Sequence, residues 1–255
     1  MKIAVITAMP EEFRAVANSL GAAASMQSGA LKGARFSVAG HEFLLVQSGV
    51  GFDNAARATE MLIRDEHPDL LISTGFCGGI APGLQVGDVV VAKMIVIANE
   101  GGFEEIPVPL SSIGQTFVAR QTAVGKKVVG GVFVSTSAIT SKKRLAGMLP
   151  GHYPNPVVEM ESAAIAIIAV ENSIPLLAVR AVSDIASEEL GFSLDEFCDH
   201  DLRRIRPHKV LLTALRKPRI IPQLIGLSRS SRRAAESLTA ALSRLFNALQ
   251  DTSRR

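Results

Sequence analysis

The first apolar run, "KIAVITA" from Lys2 to Ala8, is short and lacks polar alternation, which predicts a strand buried on both faces. Pro10 follows at once, a residue suited to the first position of a helix, and the next stretch reads as helix to about Leu20. "ARFSVAG" and "HEFLLVQSG" alternate on either side of Gly40-His41 and predict a hairpin, while "GFDNAARATEMLIRDEH" sets apolar residues at helical spacing with charge opposite. Two further strands, "DLLISTG" and "VGDVVVAKMIVIA", flank the glycine-rich "FCGGIAPGLQ". Then come a strand "KKVVGGVFVST", a helix "EMESAAIAIIAVENS", a strand "IPLLAVRAVSD" and a long helix "SLDEFCDHDLRRIRPHKVLLTALRK" bent near Pro207. Between them, Asn99 to Gln115 is irregular, punctuated by Gly101-Gly102, Pro107 and Pro109, and reads as a lid or a long surface loop. Strands alternating with helices imply an α/β domain with a largely parallel central sheet covered on both faces.

After Lys217 the pattern changes. "PRIIPQLIGLSRSSRR" is marked by proline and arginine, and "AAESLTAALSRLFNALQ" carries Ala235, Leu238, Leu242, Leu245 and Leu249 on one face, an amphipathic helix. This divides the chain into a domain at 1–217 and a basic extension at 218–255. Charge is uneven too, with the break somewhat earlier: 13 of the 27 Lys+Arg but only Glu236 and Asp251 among the acids lie in 203–255, a surplus of 11 there against a deficit of 8 before it. The stripe has three destinations: its own domain, a second subunit, or weakly an anionic membrane surface.

Composition narrows the class. With 255 residues and 47% hydrophobic content the chain can bury one large core, and no apolar run reaches the roughly 18 residues that cross a bilayer. The acidic start "MKIAVITAMPEE" is unlike a secretion signal, so a cytoplasmic protein is expected. Cys77 and Cys198 are too few for a disulfide framework or a metal site, and no metal is expected. The tail has a single aromatic, Phe246, which argues against stacking on nucleic acid.

In open α/β sheets ligands bind beyond the carboxyl ends of strands. Four places qualify: Glu11-Glu12 after the first strand, the "STGFCGG" turn, "EME" before its helix, and Ser183-Asp184. Each also has a purely structural use, as first-turn acids against a helix dipole, a tight connection, or an N-cap. Residues two apart on a helix point about 200° apart. If the "EME" turn is helical, only one of Glu159 and Glu161 faces a ligand.

Taken together and in order, "MKIAVITAMPEEF", "SGVGFDNAARAT", "STGFCGGIAPGLQVGDVVVA", "VVEMESAAIA" and "VRAVSDIASEE" resemble the purine nucleoside phosphorylase and nucleosidase superfamily, in particular its methylthioadenosine/S-adenosylhomocysteine nucleosidase branch. The resemblance spans roughly Met1 to Leu215. It implies a single α/β domain with a mixed, partly barrel-like central sheet flanked by helices, assembled as a homo-oligomer, acting on a small purine nucleoside without a cofactor. It implies cleavage of an adenine nucleoside's N-glycosidic bond through an oxocarbenium-like transition state. By the same resemblance Asp184 protonates the purine, Glu12 handles the attacking water, Glu161 accepts the ribose hydroxyls with Met160 against the sugar, and Phe76, Cys77, Gly78 and Ser183 line the pocket.

The departures concern the base. "TGFCGG" puts Phe76 where the branch has a small hydroxyl residue, and Ile139 and Leu194 stand where aromatics are expected, so Phe76 is a candidate to supply the missing ring contact. Phosphorolysis is the alternative, with inorganic phosphate as co-substrate and a bulky or lipid-linked adenosine as substrate, as in superfamily members associated with hopanoid synthesis. It requires a cationic clamp, for which Arg14, Arg57 and Arg180 are the candidates. The arginine-free "DLLISTG" favours water. A nucleoside-binding protein without activity would not need all three matching carboxylates.

Overall fold

The computed structural model describes residues 1–252, apart from 22–23, 29–30, 39, 81, 101, 124–126, 139 and 187–220. Ile139, Leu194 and the helix expected over 193–217 lie outside the described residues. Ten strands form one sheet: β1 (Lys2–Thr7), β2 (Ala24–Ser28), β3 (Leu31–Val38), β4 (His41–Gln47), β5 (Leu70–Gly79), β6 (Val89–Asn99), β7 (Gly102–Glu105), β8 (Val128–Ser135), β9 (Val157–Glu159) and β10 (Leu176–Asp184). The helices among the described residues are α1 (Pro10–Leu20), α2 (Phe52–Glu66), α3 (Ser112–Ala123), α4 (Lys142–Met148), α5 (Ser162–Glu171) and α6 (Ile221–Thr252).

Five strands close on themselves. β5 pairs with β10, β10 with β6, β6 with β8, β8 with β9, and β9 returns to β5. From β5 the sheet continues outward through β1, β4, β3 and β2. The β10–β6 and β9–β5 pairs are antiparallel, so the sheet is mixed rather than largely parallel as strand and helix alternation predicts. β6, β8 and β9 run opposite to β5 and β10, and β9, a three-residue strand too short to announce itself by periodicity, closes the ring.

One junction prepares the site. β5 is paired with β1 as far as Ser73 and with β9 only from Gly78, while β10 runs along its other edge throughout. Between these points a stretch of a fully buried strand is without a neighbouring strand on one side. Buried backbone amides left there require another acceptor.

Helices cover the sheet in two sets. α2 and α5 pack on one face around Leu44, Leu62, Ile165 and Leu176, while α1 and α6 pack on the other around Val5, Val16, Phe43 and Leu245. α6 buries Ala234, Leu238, Ala241, Leu242, Leu245, Phe246 and Leu249, each at most 3% exposed, and the Phe246 ring centre lies 4.8 Å from that of Phe43. Its apolar stripe thus completes the core cluster built by β1, β4 and α1. Of the three destinations open to the stripe, its own domain is the one it takes, and Arg229, Arg232 and Arg233 remain exposed outside it. The stretch Asn99–Gln115 is also more ordered than expected: β6 runs to Asn99, β7 folds back on it, and α3 begins at Ser112. Among the described residues no helix is long and apolar enough to cross a membrane.

Candidate active site

Glu12 fills the junction in β5. It is the third residue of α1, and its Oε2 accepts the amides of Ala8 at 2.8 Å and Met9 at 2.9 Å, which secures the start of the helix. Its Oε1 accepts the Phe76 amide at 2.8 Å, the very backbone group that lacks a strand partner. Burial raises its proton affinity above that of an ordinary carboxylic acid, against the opposing pull of Arg180 and the three amides.

Arg180 lies in the middle of β10, almost wholly buried. Its Nη2 reaches Glu159 Oε2 at 2.6 Å and Glu161 Oε2 at 3.2 Å, with the hydroxyls of Ser73 and Ser162 at 3.3 Å each. Its Nη1 and Glu12 Oε1 crowd the space that a Cβ on Gly75 would occupy, so only glycine fits there. Glu159 is tied further: it accepts the Ser135 hydroxyl through Oε1 and the amides of Glu161 and Ser162 through Oε2, at 3.1 and 2.8 Å. An anion at that point satisfies donors the first turn of α5 cannot pair internally.

The "EME" turn is not helical. Glu159 ends β9, and Glu161 caps α5 with φ −124° and ψ −34°, so the two carboxylates converge on one guanidinium rather than diverging by 200°. The premise of the helical argument fails because β9 intervenes. Glu161 also accepts the Gly51 amide at 3.0 Å, at the start of α2, where Gly51 has φ 96°, a conformation that favours glycine. Burial pushes Glu161 up to about 7, with Arg180 opposing and the negative charges of Glu159 and Glu12 reinforcing the rise. Met160, half-buried, sits between the two acids in sequence.

Asp184 ends β10. Its Oδ1 accepts the Ser183 hydroxyl at 2.8 Å, and its Oδ2 lies 2.5 Å from Lys142 Nζ. Ser183 also reaches the Cys77 carbonyl at 3.3 Å, and a Cβ on Gly78 would come within 3.1 Å of Asp184 Oδ2. Burial pushes the Cys77 thiol well up, which keeps it a neutral packing group between the two clusters. Phe76 differs from expectation: its ring, 8% exposed, belongs to the core cluster shared with α1 and α6, and what it gives the site is its amide.

Two side chains of this constellation carry roles the sequence reading did not give them. In the sequence Arg180 is one of three candidate clamps for phosphate, whereas in the structure its charge is held by carboxylates. A signal was available, since an arginine inside the otherwise apolar "LLAVRAV" must be matched by buried acids. Lys142 gives no periodic signal at all.

Residues 2–216 match the family described as the phosphorylase superfamily. The 5'-methylthioadenosine/S-adenosylhomocysteine nucleosidase of Listeria monocytogenes serotype 4a (strain HCC23) is 34% identical over 217 residues, 77% of this chain and 92% of that protein. The enzyme of the same name from Bacillus cereus (strain G9842) is 32% identical over 213 residues, 78% of this chain and 92% of that one. Among solved structures, the nucleosidase of that name from Neisseria meningitidis in complex with methylthio-immucillin-A superposes with a TM-score of 0.71 at 23% identity, covering 96% of this chain and 97% of that one. This last likeness covers more of the chain than the family match does and supports the same fold. With a closed mixed sheet, a family match over 2–216 and relatives sharing a third of their residues across most of their length, the chain belongs to the phosphorylase superfamily, on its methylthioadenosine/S-adenosylhomocysteine nucleosidase branch.

Proposed function

We propose that this chain hydrolyses the N-glycosidic bond of an adenine nucleoside such as 5'-methylthioadenosine or S-adenosylhomocysteine, the compounds for which its relatives are named. The observation that carries this reading is the meeting of Glu12 Oε1 and Arg180 Nη1 over Gly75, with Glu161 on the same arginine. A carboxylate offers about four lone-pair sites. Three on Glu12 are taken by backbone amides, and the one remaining on Oε1 is available to the proton of an attacking water. Its burial-raised basicity suits it to accept that proton.

Glu161, once ionised, has lone pairs beyond those used by Gly51 and Arg180 and can accept the two ribose hydroxyls. Its negative charge, with that of Glu12, favours the positive charge that develops on the ribosyl ring. Asp184 stands one strand end away, where proton transfer to the purine helps the base to leave.

Water is the co-substrate on electrostatic grounds. Glu159 and Glu161 already hold the Arg180 guanidinium, with the carboxyl group of Glu12 beside it, and a cation so engaged is a poor clamp for a phosphate dianion. The other two clamp candidates face solvent: Arg57 is exposed, and Arg14 is 69% exposed beside Glu11 at 3.7 Å. Self-association completes the proposal, resting on the family resemblance, and light scattering on the purified chain tests it.

Adenine release from 5'-methylthioadenosine, measured with and without inorganic phosphate, tests the reaction. Release that does not depend on phosphate is expected; a strict phosphate requirement would falsify the hydrolytic reading. Asp184→Asn and Glu12→Gln are each expected to lower kcat by about 10²-fold or more while the melting transition persists.

A further inference from the structure

Lys142 is the one lysine among the described residues that is classed as buried, at 8% exposure. It is the first residue of α4, capped by Ser141, where an ammonium opposes the helix dipole. A buried cation needs a partner. It has two, Asp184 Oδ2 at 2.5 Å and the Ile185 carbonyl, while Asp184 Oδ1 accepts the Ser183 hydroxyl.

A carboxylate that receives an ammonium on one oxygen and a hydroxyl on the other has no proton of its own to give to a purine. The pair has one, on Lys142 Nζ. We propose that Lys142 is the positioning residue that supplies this proton, acting through Asp184, an inference that rests on the nucleosidase reading above. As the C1'–N9 bond breaks, its electron pair moves into the purine. The proton on Lys142 Nζ passes to the Asp184 carboxylate, and from Asp184 it goes on to a ring nitrogen. The aspartate is restored as a carboxylate, the lysine ends as a neutral amine, and the base leaves neutral. Water adds its hydroxide part to C1' and its proton to Glu12, and that proton returns through solvent to Lys142, so the sum is one water consumed. The Ile185 carbonyl keeps the amine in place between turnovers.

Lys142→Met and Lys142→Arg, assayed on 5'-methylthioadenosine and on 4-nitrophenyl β-D-ribofuranoside, separate this role from others. The nitrophenolate leaves as an anion and needs no proton. Lys142→Met is expected to lower kcat on the nucleoside by about 10²-fold or more and to leave the aryl riboside within about threefold. Arginine restores the charge but does not release a proton, so Lys142→Arg is expected to recover less than about a tenth of the lost activity. Full recovery with arginine, equal losses on both substrates, or no loss on the nucleoside would each overturn the assignment. A wild-type chain that releases adenine from no nucleoside would instead overturn the nucleosidase reading, and this inference with it.

Discussion

Arg180 Nη2 and Glu159 Oε2 are 2.6 Å apart with both side chains out of solvent, and the same nitrogen holds Glu161 Oε2 at 3.2 Å. Glu159 does not need to touch substrate to matter. It occupies the guanidinium, ties down the first amides of α5, and leaves Glu161 as the acid with lone pairs to spare.

Arg180→Met is therefore expected to strand three buried carboxylates. Removing one partner of a buried ion pair costs about 3–5 kcal/mol, and a urea midpoint lowered to match is the measurement. Arg180→Lys keeps the charge but not the planar fork, and should fall between the two. A methionine variant as stable as the wild type would show that the acids are neutralised in another way.

Gly75 is the position where sequence and site meet most closely. A methyl group there collides with Glu12 Oε1 and Arg180 Nη1 together, and both are anchored, the first by backbone amides and the second by Glu159. Gly75→Ala is expected to cost about 1–3 kcal/mol and most of the activity, whereas Gly147→Ala on α4, with open space around the added carbon, should leave kcat alone. Equal activity in the two variants would count against the geometry over Gly75.

The strands that carry most of this are readable as apolar runs, with Glu12 and Asp184 as acids after two of them and Glu161 as an acid at the head of a helix. What was not readable had specific causes. β9 has three residues, so Glu159 was assigned to a helix that in fact begins at Ser162. Lys142 lies in a seven-residue helix without an apolar period, and its partner is 42 residues away. Phe76 follows Gly75 in an alternating strand, which turns its ring away from Glu12 and Arg180 and into the core.

The C-terminal helix gives a test of fold rather than chemistry. Phe246 is 2% exposed and packs on Phe43 of β4, so Phe246→Ala is expected to destabilise the chain by about 3–5 kcal/mol. Arg232→Ala, on an exposed i,i+4 pair with Glu236, should change stability by less than about 0.5 kcal/mol. Thermal melts of the two variants decide it, and a Phe246→Ala chain that melts like wild type would mean that α6 is not part of the core.

Glu161 links stability to activity through pH. Burial raises it to about 7 from an ordinary 4.5, so the folded chain holds a proton there that the unfolded chain has released. The resulting stability is complete below about pH 4.5 and is lost as the pH rises through 7, on the order of 3 kcal/mol if this group acted alone. The same deprotonation frees the carboxylate to accept the ribose hydroxyls, so KM for the nucleoside should fall over the interval in which the chain loses stability. Glu161→Gln removes the titration. Its melting temperature should exceed that of wild type at pH 8.5 and converge with it near pH 5, while adenine release is lost at both. A variant whose melting temperature tracks the wild type across that range would place the buried proton on another group, with Glu12, also raised by burial, the next to replace.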